Sequence, residues 1–297
     1  MIGADMLAEL LATFQAGAGQ AFGDAWSPTG EQIAVAGFDD GIDVWDLTTR
    51  EHLLAVKHSE LISCVDWSPD GRALVGGSSA GEVILFDSAT GALLHSGAGH
   101  TDEVRSVAYS PDGGFVASGA NDGMVCIWDS KDASLVARIN AHTGLVRSVA
   151  WSPSGHTLAS GGHDSTVRVW STDGWSAQGG LADHTAFIPQ VAFSPNGRLL
   201  ASASADSTVR IWDLDAGAYS CVLTDFDSWS VLGLSFSPDG THIATVDQDP
   251  IIRVFRLDPC EVVARVTAKY GTATVTWSPD GRHLSSPGPE EQIWALS

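Results

Sequence analysis

The chain is short of positive charge: 15 Lys and Arg stand against 36 Asp and Glu in 297 residues, a formal net charge of −21. So acidic a protein is unsuited to nucleic acid or anionic lipid, whose phosphates are held by Lys and Arg, and neither partner is expected. The first basic residue is Arg50, so the N-terminus lacks the positive region of a secretory signal. No apolar run approaches the ~18 residues of a membrane-spanning helix. Cysteine is scarce, and Cys64, Cys126, Cys221 and Cys260 form no Cys-x-x-Cys pair. Three of the four sit in apolar, strand-like runs, which predicts buried reduced thiols rather than disulfides or metal ligands. Together these absences predict a soluble protein of a reducing, cytoplasmic compartment. There is no phosphate-binding Gly-rich loop, no His-Glu-x-x-His and no other compact ligand set, so no metal or cofactor is expected.

What the chain does have is a repeat. An aromatic residue followed by Ser-Pro-x-Gly occurs at Trp26, Trp67, Tyr109, Trp151, Phe193, Phe236 and Trp277, at intervals of 41 to 43 residues. A fixed period of this length decides the fold before any local propensity does. Within residues 100–129, a short alternating run ends at Tyr109 and Ser110-Pro111-Asp112-Gly113 turns the chain. Pro presets φ for that turn, and Gly accepts the positive φ that closes it. Phe115–Ser118 reads as a second strand, Asn121-Asp122-Gly123 as a second turn, Met124–Trp128 as a third strand and Leu135–Ile139 as a fourth. The unit is a four-stranded antiparallel meander with two apolar faces. Such sheets bury both faces only by stacking around a ring.

These units resemble the Trp-Asp (WD) repeat. The closing dipeptide reads Trp45-Asp46, Phe86-Asp87, Trp128-Asp129, Trp170-Ser171, Trp212-Asp213, Phe255-Arg256 and Trp294-Ala295, and an opening His recurs at His58, His100, His142 and His184. The resemblance implies an all-β, seven-bladed β-propeller of four-stranded antiparallel blades. Expected blades are about 15–57, 58–99, 100–141, 142–183, 184–225, 226–268 and 269–297, in one domain. The last unit stops after its third strand, and the family closes its ring with an N-terminal strand. Residues 5–14 are rich in helix formers, yet about 6–14 lies in register for that role. The strand is the reading taken, because tertiary pairing overrides propensity.

Blades 3, 4 and 5 each carry a complete set: His100, Ser118, Asp122, Trp128; His142, Ser160, Asp164, Trp170; His184, Ser202, Asp206, Trp212. In the family these form a structural hydrogen-bonded chain from the indole through Ser and His to Asp. The same letters suggest a catalytic triad, but a triad needs one exposed nucleophile and an oxyanion hole, whereas this set occurs three times with a Trp donor. Gly77-Ser78-Ser79-Ala80-Gly81 matches a nucleophile-elbow motif by letter only, because it lies on a strand-to-strand turn. His163-Asp164 offers two metal ligands on a turn, which do not complete a site. The other blades are worn: Ala80 and Phe86 stand in blade 2 where Asp and Trp are expected, and Phe226 and Phe255 replace His and Trp in blade 6. These blades are expected to rely on hydrophobic packing.

Nine of the eleven Trp fill repeat positions, leaving Trp175 and Trp229. By register Trp175 lies on the bottom or outer rim and Trp229 in a loop of the top face. Each has two readings, packing on neighbours or a binding hot spot. The resemblance places partner binding on the top face, at three positions per blade: six and four residues before the Ser-Pro aromatic, and the residue preceding the turn Asp. There Arg105, Arg147, Asn121 and His163 form a basic sector over blades 3 and 4, with Leu145 beside it. Phe22, Phe38 and Leu61 mark blades 1 and 2, while Phe187, Trp229 and Leu232 mark blades 5 and 6. A polar arc between apolar arcs suits a peptide or small ligand with a carboxylate or phosphate. The other reading pairs the two Arg with Glu103 or nearby acids. A non-catalytic scaffold for protein or peptide is therefore expected. The alternatives are a channel-mouth pocket that binds or transforms a small molecule, and a structural domain of a longer chain.

Overall fold

The computed structural model describes residues 8–14, 20–37 and 41–296. Among these, 28 strands pair into seven four-stranded antiparallel sheets, and no helix is found. Six of the sheets are consecutive meanders. The seventh takes three strands from the C-terminal segment and its outer strand, Ala8–Phe14, from the other end of the sequence. Leu10 pairs Trp294 and Phe14 pairs Glu291, so the strand expected near the N-terminus forms in spite of helix-favouring residues. Met6 and Leu7, within that expectation, lie outside the described residues.

The inner strands touch in sequence order around the ring, and Ala21–Trp26 of sheet 1 meets Thr276–Trp277 of sheet 7 to close it. The arrangement is a seven-bladed β-propeller. Each Ser-Pro-x-Gly turn is built alike. In sheet 3 the Gly113 amide donates to the Ser110 carbonyl at 2.8 Å, and Gly113 holds a φ of +72° that a residue with a Cβ resists. The Ser110 hydroxyl accepts the Phe115 amide and donates to Asp112. Between blades the core is apolar. Val125, Ile127, Val146 and Val149, for example, pack sheet 3 on sheet 4.

The three complete sets form the expected chain. In sheet 4 the Trp170 indole donates to Ser160 Oγ at 3.0 Å, and Ser160 Oγ lies 2.8 Å from His142 Nε2. His142 Nδ1 is 2.8 Å from Asp164, whose other oxygen accepts the Thr143 amide. The sets of sheets 3 and 5, including His100–Asp122 and His184–Asp206, repeat this. Burial holds the His142 ring below its ordinary pKa. Burial alone would raise Asp164, but hydrogen bonds from Thr166 and His142 win and leave it at about 2. The set is thus a neutral imidazole bonded to a carboxylate. In sheet 2 no such chain forms: the His58 ring accepts the Glu60 amide, and Ser78 Oγ accepts the amides of Ala80 and Glu82.

Two expectations need correcting. Cys221 and Cys260 are joined in a disulfide rather than reduced; they lie on the outer strands of sheets 5 and 6, which the ring places side by side. Cys64 and Cys126 are the buried free thiols expected, and burial pushes each up to about 12. Sheet 6, moreover, does not rely on packing alone. Arg253, 1% exposed, donates to Asp247 at 2.8 Å and to Asp227 at 2.6 Å, with its guanidinium over the Phe226 ring. Phe226 and Phe255 stand where the His and Trp are missing and pack on each other, with the paired Arg253 against Phe226.

Candidate functional site

The inner strands open at their top end with a defect. In sheets 1, 2, 3, 4 and 6 the register against the second strand slips at one residue, and those residues are Phe22, Ser63, Arg105, Arg147 and Leu232. A β-bulge leaves its extra residue unpaired and re-aims the side chain. In sheet 5 the equivalent residue is Pro189, which has no N–H to give a ladder; in sheet 7 it is Ala273, ahead of the inner strand. All seven line the central cavity of about 710 Å³. In five of the seven blades a bulge aims the residue four before the aromatic at the cavity; Pro189 and Ala273 reach it without one.

A second device sets the rim outside this ring of seven. The backbone amides of Ser79, Asn121, His163 and Ala205 donate to the carbonyls of Leu61, Glu103, Leu145 and Phe187, at 2.9 to 3.0 Å. In blades 2 to 5, therefore, the first and third rim positions are zipped together. Arg105 Nε donates to Asn121 Oδ1 at 3.0 Å, and its terminal nitrogen lies 2.8 Å from Glu103. The acid-paired reading thus holds for Arg105. Arg147 differs: among the described residues nothing hydrogen-bonds or ion-pairs with it. Burial, and then Arg105, push the Arg147 guanidinium below its usual pKa, against Glu103. The His163 ring stacks on Phe187 across the boundary between blades 4 and 5, with centroids 4.8 Å apart. Burial, followed by Arg147 and Arg105, lowers the His163 pKa. A neutral aromatic platform therefore stands beside a half-buried, uncommitted cation.

Trp229 is 65% exposed on its loop and does not line the cavity, whereas Trp175 packs edge-on against Phe115 and Trp151. Leu61 and Leu145 are half-buried on the rim. Phe38 lies outside the described residues.

One set of residues went unnoticed in the sequence. Inner-strand side chains hold the next blade by its backbone: Asp66 accepts the Tyr109 amide, Ser106 that of Val149, Ser148 that of Val191, Gln190 that of Leu234 and Ser235 that of Trp277, at 2.8 to 3.2 Å. Each is a polar residue on an inner strand that is mostly apolar, which was the available signal. These bonds also commit Asp66, Ser106, Ser148 and Gln190 of the channel wall to the ring. Among the described residues no group of three or more His, Cys, Asp and Glu is placed to hold a metal.

The model for the WD domain, G-beta repeat, matches residues 91–129, 133–171, 175–213 and 219–256, together more than half of the chain. The model for the anaphase-promoting complex subunit 4 WD40 domain matches residues 24–102. Meiotic recombination protein rec14 of Schizosaccharomyces pombe (strain 972 / ATCC 24843) is 38% identical over 81 residues, which span 25% of each chain.

Proposed function

This chain belongs to the WD-repeat family, and on that premise we propose that it is a non-catalytic scaffold whose top face captures a protein segment or peptide bearing an anionic group. The observation that carries the reading is Arg147: a half-buried guanidinium, without hydrogen bond or ion pair among the described residues, beside the His163–Phe187 stack. An unpaired cation in a partly desolvated place is favourable ground for a carboxylate or phosphate, because charge-assisted bonds there are the strong ones. Phe22, Pro189 and Leu232 supply apolar contact around the mouth, Asn121 and Leu145 flank the cation, and Leu61 and Trp229 extend the surface outward. Field from a single basic sector on a protein of charge −21 also orients the encounter.

A small-molecule pocket fits less well. The central cavity of about 710 Å³ is walled in part by Asp66, Ser106, Ser148 and Gln190, which are engaged in holding neighbouring blades, so beside Arg147 it offers few convergent polar groups. The rec14 match covers a quarter of that protein and supports the repeat, not a shared role.

Affinity capture from native lysate tests the proposal, using wild type, Arg147→Glu and Arg105→Glu/Arg147→Glu. The captured set should be lost in both variants while circular dichroism and melting stay as in wild type. The same proteins retained by the double variant would move the site elsewhere.

A further inference from the structure

Laying the seven blades over one another exposes one seam that is unlike the rest. Two residues before each Ser-Pro aromatic, six blades have Val or Leu (Val65, Val107, Val149, Val191, Leu234, Val275), and blade 1 has Asp24. Three residues before each closing aromatic, six blades have Val or Ile, and blade 7 has Glu291. Opposite Ile293, where other blades have Ala or Val, the second strand of blade 7 carries Ser285. Asp24 is 8% exposed, while Glu291 and Ser285 are fully buried. All three fall at the junction of blades 7 and 1, where the N-terminal strand seals the ring and Phe14 pairs Glu291.

The bonding of the two acids is unequal. Asp24 Oδ2 accepts the hydroxyls of Thr276 and Ser285, both of which in turn accept the Trp26 indole N–H. Glu291 Oε1 accepts one backbone amide, that of Ser286, at 3.1 Å. Asp24 Oδ1 and Glu291 Oε2 have no partner among the described residues, although both are buried. On the elements packed around the pair and the loops that join them, the other titratable groups are Glu9, Cys64, Asp66, Glu261, Arg265, Lys269, His283 and Glu290; Asp66 accepts the Tyr109 amide and Arg265 pairs with Asp225. Glu9 is exposed, His283 sits 3.7 Å from Asp280, and Lys269 bonds Glu290 at 3.0 Å. No cation among them neutralises either acid.

We propose that this seam is a proton-controlled latch, in which Glu291 stays a neutral acid beside an Asp24 carboxylate and loss of that proton loosens blade 7 from blade 1. Two hydroxyl donors make Asp24 the better site for the charge, whereas Glu291, with one amide on Oε1 and none on Oε2, is the better site for the proton. Two like charges buried together would be the costliest arrangement. Burial, and then the nearby Asp24, push Glu291 well above the usual carboxylate range. A folded pKa raised in this way contributes stability that is complete below about pH 4.5 and is lost as pH rises through the folded value. The seam bears on the binding face as well, because Phe22 at the channel mouth lies two residues before Asp24 on the same strand.

The test is amide hydrogen exchange of the Ala8–Phe14 strand from pH 7 to 9.5, corrected for base-catalysed chemical exchange, in wild type and Glu291→Gln. In wild type, opening of this strand should rise by up to tenfold per pH unit, and in Glu291→Gln it should not vary with pH. Asp24→Val/Glu291→Val, which installs what the other six blades have, should fold, resist opening and show no pH dependence. Equal pH slopes in wild type and Glu291→Gln would overturn the proposal, as would a double-Val protein that does not fold. Protection restored at pH 9 by calcium or magnesium in wild type would also overturn it, by making the pair a cation site.

Discussion

Sheets 4 and 2 each bury a serine on the second strand, but at different positions: Gly76 stands where sheet 4 has Ser160, and Ser78 stands where sheet 4 has Gly162, so one serine sits inside the chain of bonds and the other outside it. Ser160 and Ser78 are both fully buried on second strands. Ser160 Oγ joins the Trp170 indole and His142 Nε2, so Ser160→Ala strands two buried polar groups at about 1–3 kcal/mol each. The expected loss is about 2–6 kcal/mol. With an unfolding entropy of roughly 2.1 cal/mol/K per residue, that lowers the melting temperature of a chain this long by about 3–10 °C. Among the described residues Ser78 Oγ accepts the amides of Ala80 and Glu82 and joins no indole or imidazole. Ser78→Ala should therefore cost about 1 kcal/mol or less. Calorimetry of the two variants at pH 7.5 reads the difference. Because burial holds His142 below the usual range, its contribution is complete above about pH 6.5 and lost as pH falls. The gap between the variants should narrow accordingly toward pH 5. Equal losses, or a Ser160→Ala loss under about 1 kcal/mol, would refute the idea that the chain of bonds stabilises these blades.

Arg253→Met should cost about 3–5 kcal/mol by leaving Asp247 buried and unpaired; Arg253→Met/Asp247→Val should recover most of it, read by urea unfolding. Alkylation in denaturant without reductant should label two thiols, Cys64 and Cys126, and with reductant four; four in both would remove the Cys221–Cys260 bond.

The ring was legible in the sequence because its parts are tied to particular residues at fixed spacing. Only a Gly suits the positive φ after Ser-Pro-x, and only Trp, Ser, His and Asp together complete the buried chain. The mouth positions were legible as numbers of residues before an aromatic, but not as bulges, since a register slip leaves no mark on residue type. Arg253 was missed because its partners, Asp247 and Asp227, come from different elements and the sheet 6 letters read as mere loss. The disulfide was missed because 39 residues is close to one period, a spacing that reads as repetition until neighbouring outer strands are seen side by side. Asp24 and Glu291 could have been found: each is a charge where six sister units have a branched apolar residue.

Recognition at the bulged arc of blades 3 and 4 is tested most directly by a photo-crosslinking residue placed at position 147, with Gln178 on the exposed outer strand of blade 4 as the control site. The account predicts protein or peptide adducts from position 147 and none from 178. Adducts from 178 with none from 147 would contradict it.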